Sequence, residues 1–260
     1  MDLKLGGRSV LVTGGSKGIG LAIARGFASE GCRLTLVARS GGQLEQAAAV
    51  IRAAHRVEVQ TFALDLSDAA SRDRFVAGCG EIDILVNNAG SIPAGTIEDV
   101  DDATWRAAWD LKVYGYIAIS RAFFTRMKVR GRGVIVNVIG TTGERLDAGY
   151  IAGSSANASL MALTRALGSA SVDVGVRVVG VNPGPVASDR LESLVKRRAR
   201  ARFGDESRWR EIFKNMPFGR PATPEEIAAT VVFLGSDLCS YTSGAIFTVD
   251  GGLAARGATP

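Results

Sequence analysis

A glycine-rich turn between an apolar strand and a helix is the feature that most constrains the fold of this sequence. Residues 9–13 are rich in β-branched side chains, and residues 17–30 show apolar side chains at helical spacing. Gly14 suits a tight bend, a residue without a side chain lets the backbone approach a pyrophosphate, and Gly20 lets the helix pack closely. Free N–H groups at the helix start favour phosphates. We therefore expect a dinucleotide-binding turn; the alternative is a packing turn without a ligand.

The alternation of apolar strands and helices continues along the chain. Strands that are apolar throughout predict a parallel sheet covered by helices on both faces, so the fold class is α/β, a Rossmann-type doubly wound sheet. The predicted strands are 9–13, 33–38, 57–64, 82–87, 134–138, 176–181 and 245–249, and the predicted helices are 17–30, 43–54, one from 68 capped near Ser67, 103–127, 154–171 and 224–234. No linker or repeat interrupts the pattern, so we expect a single domain over 1–260.

The charge near the second strand bears on which dinucleotide binds. Sites for NAD usually have an acidic residue here, which accepts hydrogen bonds from the ribose 2′-hydroxyl. This sequence has Arg39 there, and Lys17 in the phosphate turn. Two cations suit a 2′-phosphate and lack that acceptor, so we expect NADP rather than NAD. The alternative for Arg39 is a solvated surface arginine.

Further motifs give the chain its family resemblance. They are Thr13-Gly14-x-x-x-Gly18-Ile19-Gly20, Asp65-Leu66, Asn87-Asn88-Ala89-Gly90, Asn182-Pro183-Gly184-Pro185-Val186 and Val249-Asp250-Gly251-Gly252. Together they resemble the classical short-chain dehydrogenase/reductase family over nearly the whole chain. The resemblance implies an NADP(H)-dependent oxidoreductase that interconverts a carbonyl and an alcohol by hydride transfer. It also implies a homodimer or homotetramer built on helices 103–127 and 154–171.

The resemblance assigns cofactor contacts by region. Asp65 and Leu66 correspond to adenine contacts, the Asn88–Gly90 segment lines the adenosine ribose, and the segment from Pro183 to Ser188 holds the nicotinamide end. With the phosphate turn and Arg39, the expected cofactor-binding residues are Gly14, Ser16, Lys17, Gly18, Ile19, Gly20, Arg39, Asp65, Leu66, Asn88, Ala89, Gly90, Pro183, Gly184, Val186 and Ser188.

The catalytic pattern departs from the family. Most members have Tyr-x-x-x-Lys at the start of the fifth helix, a serine thirteen residues before the tyrosine and an asparagine on the preceding long helix. The register of Leu160-x-x-Leu163-Thr164-Arg165 places Gly153 at the tyrosine position and Asn157 at the lysine position. Gly140 then falls at the serine position and Lys112 at the asparagine position.

One interpretation is a rearranged catalytic site, in which lysine and asparagine have exchanged places. Tyr150 lies about one helical turn before Gly153, and the glycine leaves room for its ring. A phenol with its ordinary pKa near ~10 exchanges protons poorly unless a cation stabilises the phenolate. The hypothesis is that Tyr150 is the general acid/base, Lys112 is that cation and Asn157 orders water for proton relay. Either Thr141 or Thr142 could give the hydrogen bond of the missing serine.

The other interpretation is a catalytically inactive site. The protein would then be an NADP-binding regulator or assembly subunit, Tyr150 a packed loop aromatic and Lys112 a solvated lysine. A related activity, such as dehydration or isomerisation, is a third possibility, although nothing in the sequence specifies it.

Residues 188–220 form a basic segment that we expect to cover the carboxyl edge of the sheet as a substrate lid. Its ten Lys and Arg exceed its five Asp and Glu by five, which equals the net charge of the whole chain. This excess favours a small carbonyl or alcohol substrate that is anionic. The alternative is a solvated helix with outward arginines. No nucleic-acid-binding motif accompanies the charge, so no nucleic-acid partner is expected.

The remaining composition excludes several classes of protein. No apolar run reaches the ~20 residues of a membrane-spanning helix, and the first residues are charged where a signal peptide is apolar. We expect a cytoplasmic protein without a membrane partner. The cysteines Cys32, Cys79 and Cys239 are too far apart for a metal motif, and His55 is the only histidine, so no metal site is expected.

Overall fold

A computed structural model describes residues 2–256 of the chain; Met1 and residues 257–260, the ends of the predicted domain, lie outside the described part. Within it, seven parallel strands form one sheet in the order β3-β2-β1-β4-β5-β6-β7. The strands are β1 (Ser9–Thr13), β2 (Arg33–Ala38), β3 (Val59–Ala63), β4 (Ile84–Asn87), β5 (Gly133–Val138), β6 (Val176–Pro183) and β7 (Ile246–Val249). The predicted α/β doubly wound fold is confirmed.

Helices connect the strands and cover both faces of the sheet. They are α1 (Gly18–Ser29), α2 (Gly41–His55), α3 (Ala69–Gly78), α4 (Asp102–Trp109), α5 (Gly115–Arg130), α6 (Ile151–Ser171), α7 (Asp189–Phe203) and α8 (Pro224–Gly235). The cap of α3 is Asp68, which accepts from the Ser71 N–H, rather than the expected Ser67.

The predicted helix 103–127 is wrong in one respect. A π-helical turn, Asp110–Tyr114, separates α4 from α5. Such turns insert one residue into a helix and occur often at functional sites. The apolar period survives the insertion, so the sequence pattern does not reveal it.

The core consists of two main apolar layers, one on each face of the sheet. Val10 and Val12 of β1 point into the layer formed with α1, α2 and α8, whereas Leu11 points into the opposite layer with α5. This alternation follows from the two-residue period of a strand. The chain runs outward from β1 to β3 and then returns to β4, so a crevice opens at the carboxyl ends of β1 and β4.

Two findings bear on the classes of site considered above. No helix among the described residues is long and apolar enough to cross a membrane. The three cysteines are buried and unpaired, and burial raises the pKa of the Cys32 thiol to about 12. A thiol in that state is a poor nucleophile.

Candidate active site

The turn after β1 is built from glycines whose missing side chains let three segments meet. A Cβ on Gly20 would lie 2.1 Å from the Gly14 carbonyl oxygen, and a Cβ on Gly14 would lie 2.9 Å from Asn88 Nδ2. Gly14 also has a φ of +70°, a region that side chains disfavour. A Cβ on Gly18, in contrast, would meet no atom within 4 Å. The inner glycines are therefore fixed by packing, and the outer one borders open space.

Thr13 holds this turn against the end of β4, and sequence reasoning gave it no role. Its Oγ1 accepts from the Asn88 N–H at 2.9 Å and from the Ala89 N–H at 3.1 Å, and donates to the Val86 carbonyl at 3.3 Å. The Asn88 amide donates back to the Thr13 carbonyl at 3.0 Å. The crevice between β1 and β4 is thus braced by one buried hydroxyl, and its signal in the sequence is the threonine before the glycines.

The N-terminus of α1 has a different environment from most helix starts in the described chain. Side-chain oxygens cap α2, α3, α4, α7 and α8. At α1 the N-cap is Lys17, and no side chain among the described residues caps the helix. Its first N–H groups and positive dipole are available to an anion.

Three charged residues follow the ends of strands near the phosphate turn: Arg39 follows β2, Asp65 follows β3, and Lys17 is the N-cap residue of α1 after β1. Arg39 and Lys17 are exposed. Partial burial of the Asp65 carboxyl would raise its pKa, but hydrogen bonds from the Ser67 N–H and hydroxyl, with the positive charge of Arg39, lower the pKa overall. Asp65 is therefore ionised at neutral pH, and its charge is held by Ser67 within the field of Arg39.

A cleft of about 950 Å³ extends from this region across the carboxyl ends of β4, β5 and β6. Both Lys112 and Tyr150, from α4–α5 and the start of α6, line it, and so does Asn157. Sequence analysis assigned these three side chains to the chemistry, and the fold brings them to one cavity.

The Tyr150 ring occupies the volume that a side chain at position 153 would fill. A Cβ on Gly153 would lie 1.9 Å from Tyr150 Cε1 and 2.2 Å from Cζ. The Tyr150 backbone is anchored because the N–H of the next residue, Ile151, donates to the Gly95 carbonyl, and the Gly95 N–H donates to Gly149. The ring also packs against the apolar cluster that contains Ala152. The phenol is thus fixed above α6, over Gly153, the position that the resemblance aligns with the family's tyrosine.

The other three tyrosines are not placed for catalysis in this cleft. Tyr116 is buried, its hydroxyl donates to the Val138 carbonyl at 2.9 Å, and burial raises its pKa far above the usual range. Tyr114 and Tyr241 are exposed and do not line the cleft. Tyr150 is therefore the tyrosine of the described residues that lines the cleft.

Lys112 lies in the π-helical turn and enters the cleft across Gly90. A Cβ on Gly90 would lie 3.1 Å from Lys112 Cδ, and the ammonium donates to the Ile139 carbonyl at 2.7 Å. Ile139 directly follows β5 and precedes Gly140. The cation is therefore held beside the loop that carries the family's serine position.

Asn157 projects from α6 into the space above Gly140. A Cβ on Gly140 would lie 2.8 Å from Asn157 Nδ2, and that nitrogen donates to Thr142 Oγ1 at 2.7 Å. Asn157 is only 3% exposed, and its Oδ1 has no hydrogen-bond partner within residues 2–256. A buried acceptor without a donor is costly, and the described residues supply no donor to this oxygen.

Comparison with known proteins identifies the family. The model described as "short chain dehydrogenase" matches residues 8–199. Galactitol 2-dehydrogenase (L-tagatose-forming) of Cereibacter sphaeroides is 36% identical over 251 residues, covering 96% of each protein. The chain belongs to the short-chain dehydrogenase family. It is accordingly an oxidoreductase that interconverts a carbonyl and an alcohol by hydride transfer.

Solved structures of the family show the same fold with bound nicotinamide cofactors. L-Sorbose reductase from Gluconobacter frateurii, complexed with NADPH and L-sorbose, superposes with a TM-score of 0.90 at 32% identity and covers 98% of this chain and 100% of its own. A xylitol dehydrogenase bound to NAD⁺ gives 0.88 at 26% identity, with coverages of 96% and 100%. Relatives therefore use either dinucleotide. The open space outside Gly18 and the uncapped α1 fit the phosphates of such a cofactor.

The family's cofactor positions divide into two groups in this dehydrogenase. The cleft is lined by Ile19, Asn88, Gly90, Pro183, Gly184, Val186 and Ser188. The others, Gly14, Ser16, Lys17, Gly18, Gly20, Arg39, Asp65, Leu66 and Ala89, lie at the turn after β1 or at the ends of β2, β3 and β4. Ser188 has a structural task as well, because its hydroxyl caps α7 by accepting from the Leu191 N–H at 3.2 Å.

The basic segment 188–220 contains α7 and a 3-10 helical stretch, Glu206–Asn215, and the two pack on each other. Leu191, Leu194, Arg197 and Arg198 line the cleft from α7, and Arg145 lines it from the loop after β5. Sequence reasoning did not identify Arg145 because nothing in its local pattern distinguishes it from a loop arginine. Glu192 and Glu211 pair with Lys196 and Arg208, so these carboxylates are engaged by other cations.

Proposed function

We propose that this dehydrogenase is an active NADP(H)-dependent enzyme whose general acid/base is Tyr150, acting with Lys112 and Asn157 on a small, anionic carbonyl or alcohol. One observation carries the proposal: the Tyr150 ring fills the side-chain space of Gly153 at the wall of the cleft. The enzyme therefore has a phenol near the family's tyrosine position, although the residue at that position, Gly153, is a glycine.

The chemistry requires a proton donor at the substrate oxygen. A bound nicotinamide supplies or accepts the hydride. The Tyr150 hydroxyl gives its proton to the oxygen of a carbonyl undergoing reduction, or takes the proton from an alcohol undergoing oxidation. The Lys112 ammonium, which Ile139 holds at the cleft, stabilises the negative charge left on the phenolate.

Asn157 has the position from which water can be ordered for proton return. Its Oδ1 is buried and without a donor within the described chain. A water that donates to this oxygen recovers the hydrogen bond that the fold leaves unmade. That water is the first member of the proposed relay between Tyr150 and solvent.

The preference for NADP over NAD rests on Arg39 and Lys17. Both are exposed at the corner where the adenosine ribose would lie, and neither has a carboxylate partner among the ion pairs of residues 2–256. A 2′-phosphate would engage both cations. The resemblance places the nearby Asp65 at the adenine rather than at the ribose 2′-hydroxyl, and Ser67 engages its Oδ1.

The substrate class follows from the relatives and from the charge of the cleft. Relatives act on galactitol and L-sorbose, which supports a polyhydroxylated substrate. Arg145, Arg197 and Arg198 line the cleft, and Asp147 is the one carboxylate among its described lining residues. We therefore propose a hydroxylated ketone or alcohol that carries a carboxylate or phosphate. Residues 188–220 would close over it as a lid.

An assembly of two or four copies built on α4–α5 and α6 is part of the proposal. Tyr114 and Val129, on the helical segment 102–130, are 55% and 84% exposed, and Val172, just after α6, is 51% exposed. Burying these apolar side chains between copies would favour association. Light scattering of the purified protein gives the size directly, and a monomer at micromolar concentration contradicts this part.

The test of the proposed function combines binding with turnover. NADPH and NADH are titrated by fluorescence, and a panel of ketoses, keto acids and sugar phosphates, with 2,3-butanedione as a general carbonyl probe, is screened for NADPH oxidation. We expect tighter binding of NADPH and reduction of at least one panel member, fastest among anions. Tight binding without turnover across the panel would instead favour a cofactor-binding regulator.

A further inference from the structure

The Thr142 hydroxyl accepts a hydrogen bond from the Asn157 amide, so the hydroxyl proton of Thr142 cannot point toward Asn157. Asn157 Nδ2 lies 2.7 Å from Thr142 Oγ1. An amide nitrogen only donates, so the hydroxyl oxygen accepts and its proton must point elsewhere. Thr142 is half-buried and lines the cleft, and no acceptor for its proton is found among the described residues. Its O–H is therefore a free donor at the cleft wall.

The neighbouring Thr141 has a different environment. It lies in the same 3-10 turn, Thr141–Gly143, and also lines the cleft, but it is buried, at 9% exposure. No side-chain hydrogen bond orients its hydroxyl in the described part of the chain. Both threonines that follow β5 line the cleft, but Thr142 is the less buried of the two and is the one whose hydroxyl has a side-chain partner that orients it.

The same pair excludes a side chain at position 140. A Cβ on Gly140 would lie 2.8 Å from Asn157 Nδ2, and the residue has a φ of +140° that favours glycine. A serine there would collide with the amide that orients Thr142. Glycine at 140 and asparagine at 157 thus depend on each other structurally, and are not two independent replacements of the serine and lysine that the resemblance implies.

We propose that Thr142 is a catalytic residue that donates a hydrogen bond to the substrate carbonyl oxygen, and that Asn157 is the positioning residue that aims it. The inference rests on the proposed function, because it needs a substrate reduced in this cleft. A donor oriented before the substrate arrives stabilises the charge that develops on the oxygen, and removal of one such donor typically costs about 10²–10³ in kcat.

The first experiment separates the two threonines. In the reduction of the fastest panel carbonyl by NADPH, we expect Thr142→Val to lower kcat by about 100-fold and Thr142→Ser to restore most of it. Thr141→Val should lose at least tenfold less than Thr142→Val. Equal losses for the two valine variants, or no recovery with serine, would overturn the assignment of Thr142.

The second experiment reverses the polarity of Asn157. In Asn157→Asp the side chain keeps its shape, but an ionised carboxylate only accepts, so the Thr142 proton turns toward it and away from the cleft. We expect Asn157→Asp to lose nearly as much kcat as Thr142→Val. Because the aspartate keeps an oxygen that accepts from the proposed relay water, the double variant should lose no more than Thr142→Val alone. Losses that multiply in the double variant would show that Asn157 does not act through Thr142.

A third measurement does not depend on turnover. Calorimetry measures the affinity for the same carbonyl in Tyr150→Phe protein saturated with NADPH. Adding Thr142→Val should weaken this affinity about fivefold, as expected for one lost hydrogen bond. The Kd for NADPH should stay constant. An unchanged carbonyl affinity would refute the contact. If wild-type protein reduces no panel member, the proposed function fails; if it does and Thr142→Val equals wild type, only this inference fails.

Discussion

The two halves of the cleft depart from the family pattern to different extents. At the phosphate turn the family's residues are in their positions, and the structure shows why: a Cβ on Gly20 would lie 2.1 Å from the Gly14 carbonyl oxygen. At the catalytic end, positions 153 and 140, which the resemblance aligns with the family's tyrosine and serine, are glycines, and side chains from Tyr150 and Asn157 occupy the space above them. Backbone packing fixes residue identity, whereas a functional group can reach one point in space from several positions.

The largest effect should come from removing the phenol. Tyr150→Phe keeps the ring that packs over Gly153 and deletes only the proton donor. General acid/base catalysis contributes about 10²–10⁴-fold, so we expect kcat to fall by at least about 100-fold with no change in NADPH affinity. Steady-state kinetics and fluorescence titration measure the two quantities. Tyr241→Phe, at a fully exposed tyrosine, is the matched control. Wild-type kcat in Tyr150→Phe would make the rearranged site wrong.

A methyl group at position 153 tests the catalytic half without touching a catalytic atom. In Gly153→Ala the new Cβ would lie 1.9 Å from the Tyr150 ring, so the ring must move. Because a displacement of ~1 Å can cost about 100-fold in rate, we expect kcat to fall by about 10- to 100-fold while NADPH affinity is retained. Gly78→Ala in α3, where a Cβ meets no atom within 4 Å, is the control. Full activity in Gly153→Ala would show that the ring position is unimportant.

The corresponding change in the cofactor half should act on binding and stability instead. Gly20→Ala would push a Cβ into the Gly14 carbonyl and toward Asn88 Nδ2. Overpacking of this kind costs about 1–3 kcal/mol, and we expect an NADPH Kd raised about tenfold together with a lower melting temperature. Gly42→Ala in the first turn of α2, where a Cβ meets no atom within 4 Å, should leave both values unchanged. If Gly20→Ala lowered kcat without changing NADPH affinity or melting temperature, the distinction between a phosphate turn that controls binding and a catalytic end that controls turnover would be wrong.

The difference between the phosphate turn and the catalytic end also explains how much of the site could be predicted from the sequence. Gly14 and Gly20 satisfy a requirement that lies within seven residues, so their spacing predicts the turn. The register of α6 comes from the family resemblance of Leu160-x-x-Leu163-Thr164-Arg165, and Tyr150 is the phenol nearest to the tyrosine position that this register implies. The contacts of Thr13 with Asn88, 75 residues away, and of Asn157 with Thr142, 15 residues away, depend on tertiary packing. No local pattern encodes such contacts, so sequence analysis left the choice between Thr141 and Thr142 open.

The basic segment gives a second example of this limit. Its charge was evident from the sequence, but a helix was offered only as the alternative to a lid and without bounds, because ten Lys and Arg among residues 188–220 obscure the apolar face of α7. In the structure Val195 and Ala199 are fully buried, one helical turn apart, and Leu191 and Leu194 face the cleft. These two buried aliphatic side chains therefore orient α7, whereas Arg197, Arg198, Arg200 and Arg202 on the same helix are exposed.

The smallest expected effect concerns which dinucleotide is bound. Arg39→Glu replaces the exposed cation at the end of β2 with an acceptor for a ribose 2′-hydroxyl. Loss of one charge contact with a 2′-phosphate at a solvated site is worth about 1–1.5 kcal/mol, or roughly tenfold in Kd. We therefore expect NADPH affinity to fall about tenfold and NADH affinity to stay level or rise, with the NADPH effect shrinking at high salt. Arg25→Glu, an equal charge change at an exposed position on α1, should leave the ratio of the two Kd values unchanged.

If both variants weaken NADPH binding equally, general charge attracts the cofactor, and Arg39 does not select it. If Arg39→Glu alone inverts the preference between NADPH and NADH, the Arg39 side chain selects the dinucleotide. The backbone of the phosphate turn is fixed by packing, but the side chain at position 39 is free to vary.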